Sequence, residues 1–261
     1  MNTDKKTALV TGASSGFGRE LVKLFASDGY NIILVARTQD ELREVAQEVE
    51  SQFAGCETLV IPQDLAKPEG AQALYDAVQQ RGWTVDALVN DAGFGEHGRF
   101  METDLEKELS MIQLNVTSLV TLTKLFGRDM VARGEGRILQ LASTVSFMPV
   151  PKLSVYAATK AFVLSFSEAI AHELEGTGVT MTALCPGASD TEFFVRANAE
   201  GANVTDTPLS DPAEVAKDGY DAMMKGETRV ISGAMNKLQA YFSNVIPDSL
   251  LSSGMSKLME K

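Results

Sequence analysis

The chain has 261 residues, 44% of them hydrophobic, with 35 acidic against 23 basic side chains for a formal net charge of −12. That is enough apolar content for a full core, and so acidic a balance argues against holding nucleic acid or an anionic membrane by bulk electrostatics. Any phosphate-bearing ligand would need positive charge gathered locally.

The first residues, Met1 to Lys6, lead straight into an apolar strand, Thr7 to Val10, without the apolar segment and cleavage site of a signal peptide. No stretch approaches the roughly 20 apolar residues of a membrane span, so a cytoplasmic location is expected. Cys56 and Cys185, the only cysteines, fall in apparent strand regions and read as buried free thiols rather than a disulfide or metal site. No repeat or linker marks a boundary, and alternating strand and helix patterns predict one α/β domain.

After the first strand come Thr11, Gly12, Ala13, Ser14, Ser15, Gly16, Phe17 and Gly18, then a helical pattern from Arg19 to Asp28. Strand, glycine turn and helix in this order present backbone N–H groups and a positive dipole end to a pyrophosphate. The spacing is GxxxGxG rather than GxGxxG, with the same mechanical roles. The second strand, Asn31 to Val35, ends in Ala36, Arg37 and Thr38, and Thr38 with Glu41 stand in capping-box spacing at the next helix. An acidic residue at this strand end would accept from a ribose 2′-hydroxyl. Ala36 followed by Arg37 instead favours a 2′-phosphate, hence NADP(H).

The third strand, Thr58 to Ile61, ends near Asp64 and Leu65, and a helix follows from about Glu69 to Gln80. The fourth strand, Val85 to Val89, ends in Asn90, Asp91, Ala92 and Gly93. Both loops lie at carboxyl ends of strands, where open parallel sheets bind ligands. One long helix is predicted from Asp104 to Arg133 with Asn115 inside its apolar pattern. That amide is either a satisfied core group or a holder of a water or a neighbouring backbone at a site.

A further strand, Arg137 to Leu141, reaches Ser143, and the next helix carries Tyr156 and Lys160 four apart, on one face. A Lys charge at ~5 Å in an effective dielectric of ~20 favours a phenolate by roughly 3 kcal/mol, about two pKa units. With Ser143 nearby this makes a proton-transfer site for a carbonyl or alcohol, although an isolated YxxxK is more often a surface pair.

Three segments are candidates to face a substrate: Phe94 to Phe100, Val145 to Leu153, and the stretch holding Phe193, Phe194 and Val195. They read as a hydrophobic pocket with His97 and Arg99 as polar exceptions, or as ordinary packing with His97 exposed. Pro208 and Pro212 flank a helix from Ala213 to Lys225, and Arg229 to Ser232 is a last strand. Beyond Gly233, Leu238, Tyr241, Phe242 and Val245, then Leu251, Met255 and Leu258, share a helical face that must dock on its own domain or on another subunit.

Six pieces occur in a fixed order: the TGxxxGxG turn at Thr11 to Gly18, the NxAG element at Asn90 to Gly93, Asn115, Ser143, the YxxxK of Tyr156 and Lys160, and the PGxxxT segment at Pro186 to Thr191. In this order the chain resembles the short-chain dehydrogenase/reductase superfamily from Thr7 to about Gly233, and in detail its bacterial ketoreductase-like branch. The resemblance implies a single-domain, Rossmann-like, doubly wound parallel sheet flanked by helices. Residues 1–185 would be mainly cofactor-binding and catalytic, and 186–261 a substrate lid with C-terminal helices.

The resemblance also implies a tetrad. Tyr156 would be the proton donor, Ser143 would place the carbonyl oxygen, Lys160 would bind the nicotinamide ribose and lower the Tyr156 pKa, and Asn115 would hold a water. Cofactor contacts would come from Gly12, Ser14, Ser15, Gly16, Phe17 and Gly18, from Arg37 and Thr38, from Asp64 and Leu65 at the adenine, from Asn90, Ala92 and Gly93, and from Pro186, Gly187 and Thr191. No metal is implied. Two residues depart from the pattern, Asp91 where a second Asn is frequent and Ser189 where an apolar residue is usual. The expected activity is NADP(H)-dependent interconversion of an apolar carbonyl and its alcohol by a homo-oligomer, dimer or tetramer. A non-catalytic nucleotide sensor on the same fold is the alternative.

Overall fold

A computed structural model describes residues 5–199, 202–203, 209–243, 246 and 248–260. Strands β1 (Thr7–Thr11), β2 (Asn31–Ala36), β3 (Thr58–Pro62), β4 (Ala87–Asn90), β5 (Gly136–Leu141), β6 (Val179–Cys185) and β7 (Arg229–Ile231) form one parallel sheet in the order β3-β2-β1-β4-β5-β6-β7. The order reverses between β1 and β4. Crossovers then leave in opposite directions and open a crevice at the carboxyl ends of those strands. The fourth strand starts two residues later than its apolar pattern suggested, and Cys56 lies in the turn ahead of β3 rather than in a strand. Both cysteines are free and buried.

The central strands carry continuous apolar stretches, Ala8 to Val10 in β1 and Ile32 to Ala36 in β2, because helices cover both faces. Ala8 and Val10 pack against Leu21, Val22 and Phe25 of α1 (Gly16–Ser27), Leu42 and Val45 of α2 (Gln39–Gln52), and Val215 and Met223 of α8 (Pro212–Lys225). Leu9, one residue out of phase, packs on the other face with Leu74 and Val78 of α3 (Gly70–Gln80) and Leu122, Phe126 and Met130 of α5 (Leu119–Arg133). Pro208 falls outside the described residues.

The helix predicted over 104–133 is interrupted. Asp104 caps α4 (Leu105–Ile112) by accepting from the Lys107 N–H, a π-helical turn occupies Gln113–Ser118, and α5 follows, closed by Gly134 at φ 75°. By length and composition the run Leu105–Arg133 would suffice to cross a membrane, contrary to the expectation that no stretch approaches a span. Its second half, α5, serves the core, since Leu122, Phe126 and Met130 are fully buried on the sheet.

The capping box expected at Thr38 does not form. Thr38 is the N-cap of α2 without a side-chain bond, and Asp40 and Glu41 in the first turn meet the helix dipole instead. After α6 (Ser154–Glu173) and the short α7 (Phe193–Arg196), the chain ends in α9 (Ala234–Ser243) and α10 (Asp248–Leu258). The two tail helices divide the role expected of them. Met255 of α10 and Met259 just beyond it are buried with Tyr156, Met148 and Leu153, and Leu251 packs on that cluster, whereas Leu238, Tyr241 and Phe242 of α9 stay exposed. Val245 lies outside the described residues.

Candidate active site

The glycine turn joins β1 to α1. Gly12 and Gly16 hold φ 73° and 55°, the left-handed region that a side chain resists. Ser15, the N-cap of α1, makes no side-chain cap bond, so its side chain does not occupy the amides at the start of the helix. A cavity of about 1160 Å³ begins here and runs along the carboxyl edge of the sheet.

Its walls include Gly12, Ser14, Ser15, Gly16 and Phe17 from the turn, Arg37 and Thr38 beyond β2, Asp64 and Leu65 beyond β3, and Ala92 and Gly93 beyond β4. Ser143, Tyr156 and Lys160 border it further along, with Pro186, Gly187 and Thr191 after β6. Three residues expected at the site do not line it. Gly18 lies behind the turn, where a Cβ would collide with the Gly12 carbonyl. Asn90 is buried in the core, its amide donating to Thr123 Oγ1 at 3.2 Å and Gln140 Oε1 at 3.0 Å, so it ties β4 to its neighbours rather than touching a ligand. Strand parity decides this, because successive side chains at a strand end face opposite sides.

Asn115 is the third. It sits in the π-helical turn, donates to the Phe94 carbonyl at 3.0 Å and Thr159 Oγ1 at 3.1 Å, and accepts from the Phe94 N–H at 3.2 Å. The amide thus holds a neighbouring backbone, that of Phe94. The loop so fixed forms the wall at Ala92 to Phe94.

Ser143, Tyr156 and Lys160 are all buried. Ser143 caps the short helical turn Thr144–Phe147, and Ser146 ties that turn to α6 by accepting from the Ser143 N–H at 3.2 Å and donating to the Lys160 carbonyl at 2.8 Å. Lys160 Nζ lies 5.7 Å from the centre of the Tyr156 ring and donates to the Leu141 carbonyl at 2.6 Å. The charge balance differs from the one inferred from spacing. Burial pushes the Tyr156 phenol above its ordinary value, the Ser143 hydroxyl pulls it down, and the Asp91 carboxylate pushes it further up. Burial also lowers Lys160 to about 8, against the upward pull of Asp91 and Cys185. Desolvation is therefore the leading cause of both shifts in the free protein. Lys160 is fully charged below that value and loses its charge as pH rises through about 8.

The sequence model of the short chain dehydrogenase family matches residues 6–202. The chain belongs to this family. It is 34% identical over 190 residues to a short chain dehydrogenase of Pseudocercospora fijiensis, the match covering 72% of this chain and 61% of that one. It is 30% identical over 246 residues to the 3-oxoacyl-acyl-carrier-protein reductase of Vibrio cholerae, covering 90% and 99%. The solved structure of a short-chain dehydrogenase from Sphingobium yanoikuyae in complex with NADPH superposes with a TM-score of 0.82 at 29% identity, covering 94% and 95%.

Within this family member, several wall residues had no signal in the sequence. Arg196 of α7 reaches back to Ser15 Oγ at 3.3 Å while pairing with Glu192, placing a cation across from the glycine turn. Met255 and Met259 close the apolar end. Only the amphipathic spacing of the tail hinted at them, and it did not say what they would cover. His97, left open between pocket and solvent, is part-buried and bonds through Nε2 to the Met259 carbonyl at 2.8 Å, so it serves the tail.

The crowding behind the turn gives a direct expectation. Gly18→Ala puts a methyl against the Gly12 carbonyl and within 2.7 Å of Asp91 Oδ2, and overpacking of this kind costs about 1–3 kcal/mol. A lower thermal midpoint by calorimetry is the expected result. An unchanged midpoint would show that the turn has slack.

Proposed function

We propose that the protein is an NADP(H)-dependent reductase or dehydrogenase interconverting an apolar carbonyl and its alcohol. One observation carries the reading: a single cavity runs without a break from Arg37 and Thr38, past the glycine turn, to Ser143, Tyr156 and Lys160. A dinucleotide spans such a distance with its reactive end at the tyrosine. The residues present fit it. The turn leaves no Cβ at Gly12 or Gly16, the uncapped start of α1 suits a pyrophosphate, and Arg37 suits a 2′-phosphate. A solved relative of the same fold holds NADPH.

When bound, the cofactor supplies or accepts the hydride at the carbon of the carbonyl. The chain's own residues handle the oxygen. Ser143 and Tyr156 bound the same opening, so both hydroxyls bond to the carbonyl oxygen, and the Tyr156 O–H donates its proton to it. Lys160 keeps a positive charge beside the phenol and would hold the nicotinamide ribose of a bound cofactor. Asn115 acts as a positioning residue through the Phe94 backbone. Burial keeps the phenol protonated at neutral pH, which suits the reducing direction.

Phe94, Val145, Leu153, Phe193, Met255 and Met259 wall the reacting end, so the substrate is apolar around its carbonyl. Residues 1–185 supply cofactor-binding and catalytic groups, and 186–261 the lid and tail. A cytoplasmic setting agrees with two unpaired cysteines. Following NADPH absorbance against ketones, aldehydes, 3-oxoacyl thioesters and polyhydroxylated sugars tests the reading. Turnover of apolar ketones above sugars is expected. Tight NADPH binding with no turnover on any carbonyl would favour a sensor instead.

A homo-oligomer is also proposed, because Leu105, Leu109 and Ile112 form an exposed apolar stripe along α4, at 64%, 50% and 39% exposure. Light scattering should give a dimer or tetramer for the wild type and a smaller species for Leu109→Asp. An unchanged mass in the variant would remove this face from the assembly.

A further inference from the structure

Asp91 follows Asn90 at the carboxyl end of β4. The residue is part-exposed at the cavity wall, but its carboxyl is turned inward. Oδ2 lies 2.6 Å from where a Cβ on Gly12 would stand and 2.7 Å from one on Gly18, so the carboxyl is lodged against the back of the glycine turn. Thr11 Oγ1 accepts from the N–H groups of Asp91 and Ala92, both at 3.1 Å, and pins the segment in place.

The charged and titratable groups facing it are Lys160 and Tyr156 from α6 and Arg196 from α7, with the Gly18 backbone N–H from the turn itself. Both cations have other partners, Lys160 at the Leu141 carbonyl and Arg196 at Glu192. Among the described residues no ion pair includes Asp91. Burial pushes its carboxyl up to about 7, with Lys160, the Gly18 N–H and Arg196 pulling the other way.

We propose that Asp91 makes cofactor binding proton-linked, the protein taking up a proton there when a pyrophosphate-bearing nucleotide settles on the glycine turn. The inference rests on the NADP(H) reading above. A pyrophosphate brings two negative charges to the front of a turn whose back carries this carboxyl. The charged carboxylate is repelled and the neutral acid is not, so the complex holds the proton more tightly than the free protein does.

The sign follows by linkage. Below the free-state value Asp91 is neutral with or without nucleotide, and affinity is at its highest. As pH rises through about 7 the free protein ionises while the complex stays protonated, and affinity falls until the complex ionises too. Each unit between the two values is about tenfold in Kd. Asparagine keeps the shape and can accept from the Gly18 N–H, but it does not titrate.

NADPH fluorescence titrations of wild type and Asp91→Asn at about pH 6 and about pH 8.5 test this. The wild-type Kd is expected to weaken over that interval about tenfold more than the variant's. The 2′-phosphate, which titrates near pH 6, is common to both proteins and cancels in the comparison. Equal pH dependence in the two proteins would overturn the proposal. Should the variant fail to fold, calorimetry of NADPH binding to the wild type near pH 7.5, in two buffers of different ionisation heat, decides the matter. Uptake of a substantial fraction of a proton is expected, and none would overturn the linkage. No NADPH binding at any pH would overturn both this linkage and the cofactor assignment beneath it.

Discussion

Tyr156→Phe is expected to lower kcat by about 10²–10⁴-fold, the range of a single positioned acid–base group, while NADPH affinity stays near wild type. The ring remains to pack among Met148, Leu153, Met255 and Phe193, and only the transferable proton is lost. Because burial holds the phenol protonated, the wild type has its acid ready throughout the neutral range, and the variant has no substitute at that point. Ser143 donates to the Pro186 carbonyl at 3.4 Å and accepts from the Val145 N–H at 3.3 Å, contacts that hold its hydroxyl in place at the cavity wall. Steady-state kinetics with a responsive ketone, alongside an NADPH titration, check this. Retention of more than about a tenth of wild-type kcat would remove Tyr156 from the proposed chemistry, whereas a parallel loss of NADPH affinity would point to collapse of the pocket.

Cofactor choice is the second large effect. Arg37 and Thr38 are exposed at the cavity wall beyond β2, and no partner occupies Arg37 among the described residues. Its guanidinium can meet a 2′-phosphate with charge-assisted bonds contributing about 1.5–3 kcal/mol, which is roughly ten- to more than hundredfold. NADH has no phosphate to use them. Glu41, one turn into α2, borders the same space and opposes a phosphate, so the preference depends on Arg37. A kcat/KM at least about tenfold higher with NADPH is expected, with reversal in Ala36→Asp/Arg37→Ala, where a carboxylate opposes the phosphate and accepts from a 2′-hydroxyl. Equal use of both cofactors by the wild type would show that Arg37 stays in solvent.

The stretches most legible in the sequence were those where one local pattern has one physical outcome. Ala8 to Val10 and Ile32 to Ala36 are apolar on successive residues because both sides of each strand are buried, and that pattern with alternating helices implies a parallel sheet. Gly12 and Gly16 stand where the backbone takes positive φ, and the four-residue spacing of Tyr156 and Lys160 puts both on one face of α6. Such features need no knowledge of distant residues.

Tertiary structure decided the rest. Asn90 and Asp91 are adjacent and both polar, yet one enters the core and the other backs the glycine turn, a matter of pleat phase fixed by pairing with β1 and β5. Asn115 bonds to a loop 21 residues earlier, through a helix that takes a π turn there. The sign of the Tyr156 shift shows the limit most directly. Spacing gives the nearness to Lys160 and hence an attraction, but the phenol is raised by burial, in a cluster that includes residues as remote as Met255 and Met259. Local sequence fixes which groups are neighbours along an element, while the dielectric around them is set by whatever the fold packs on top.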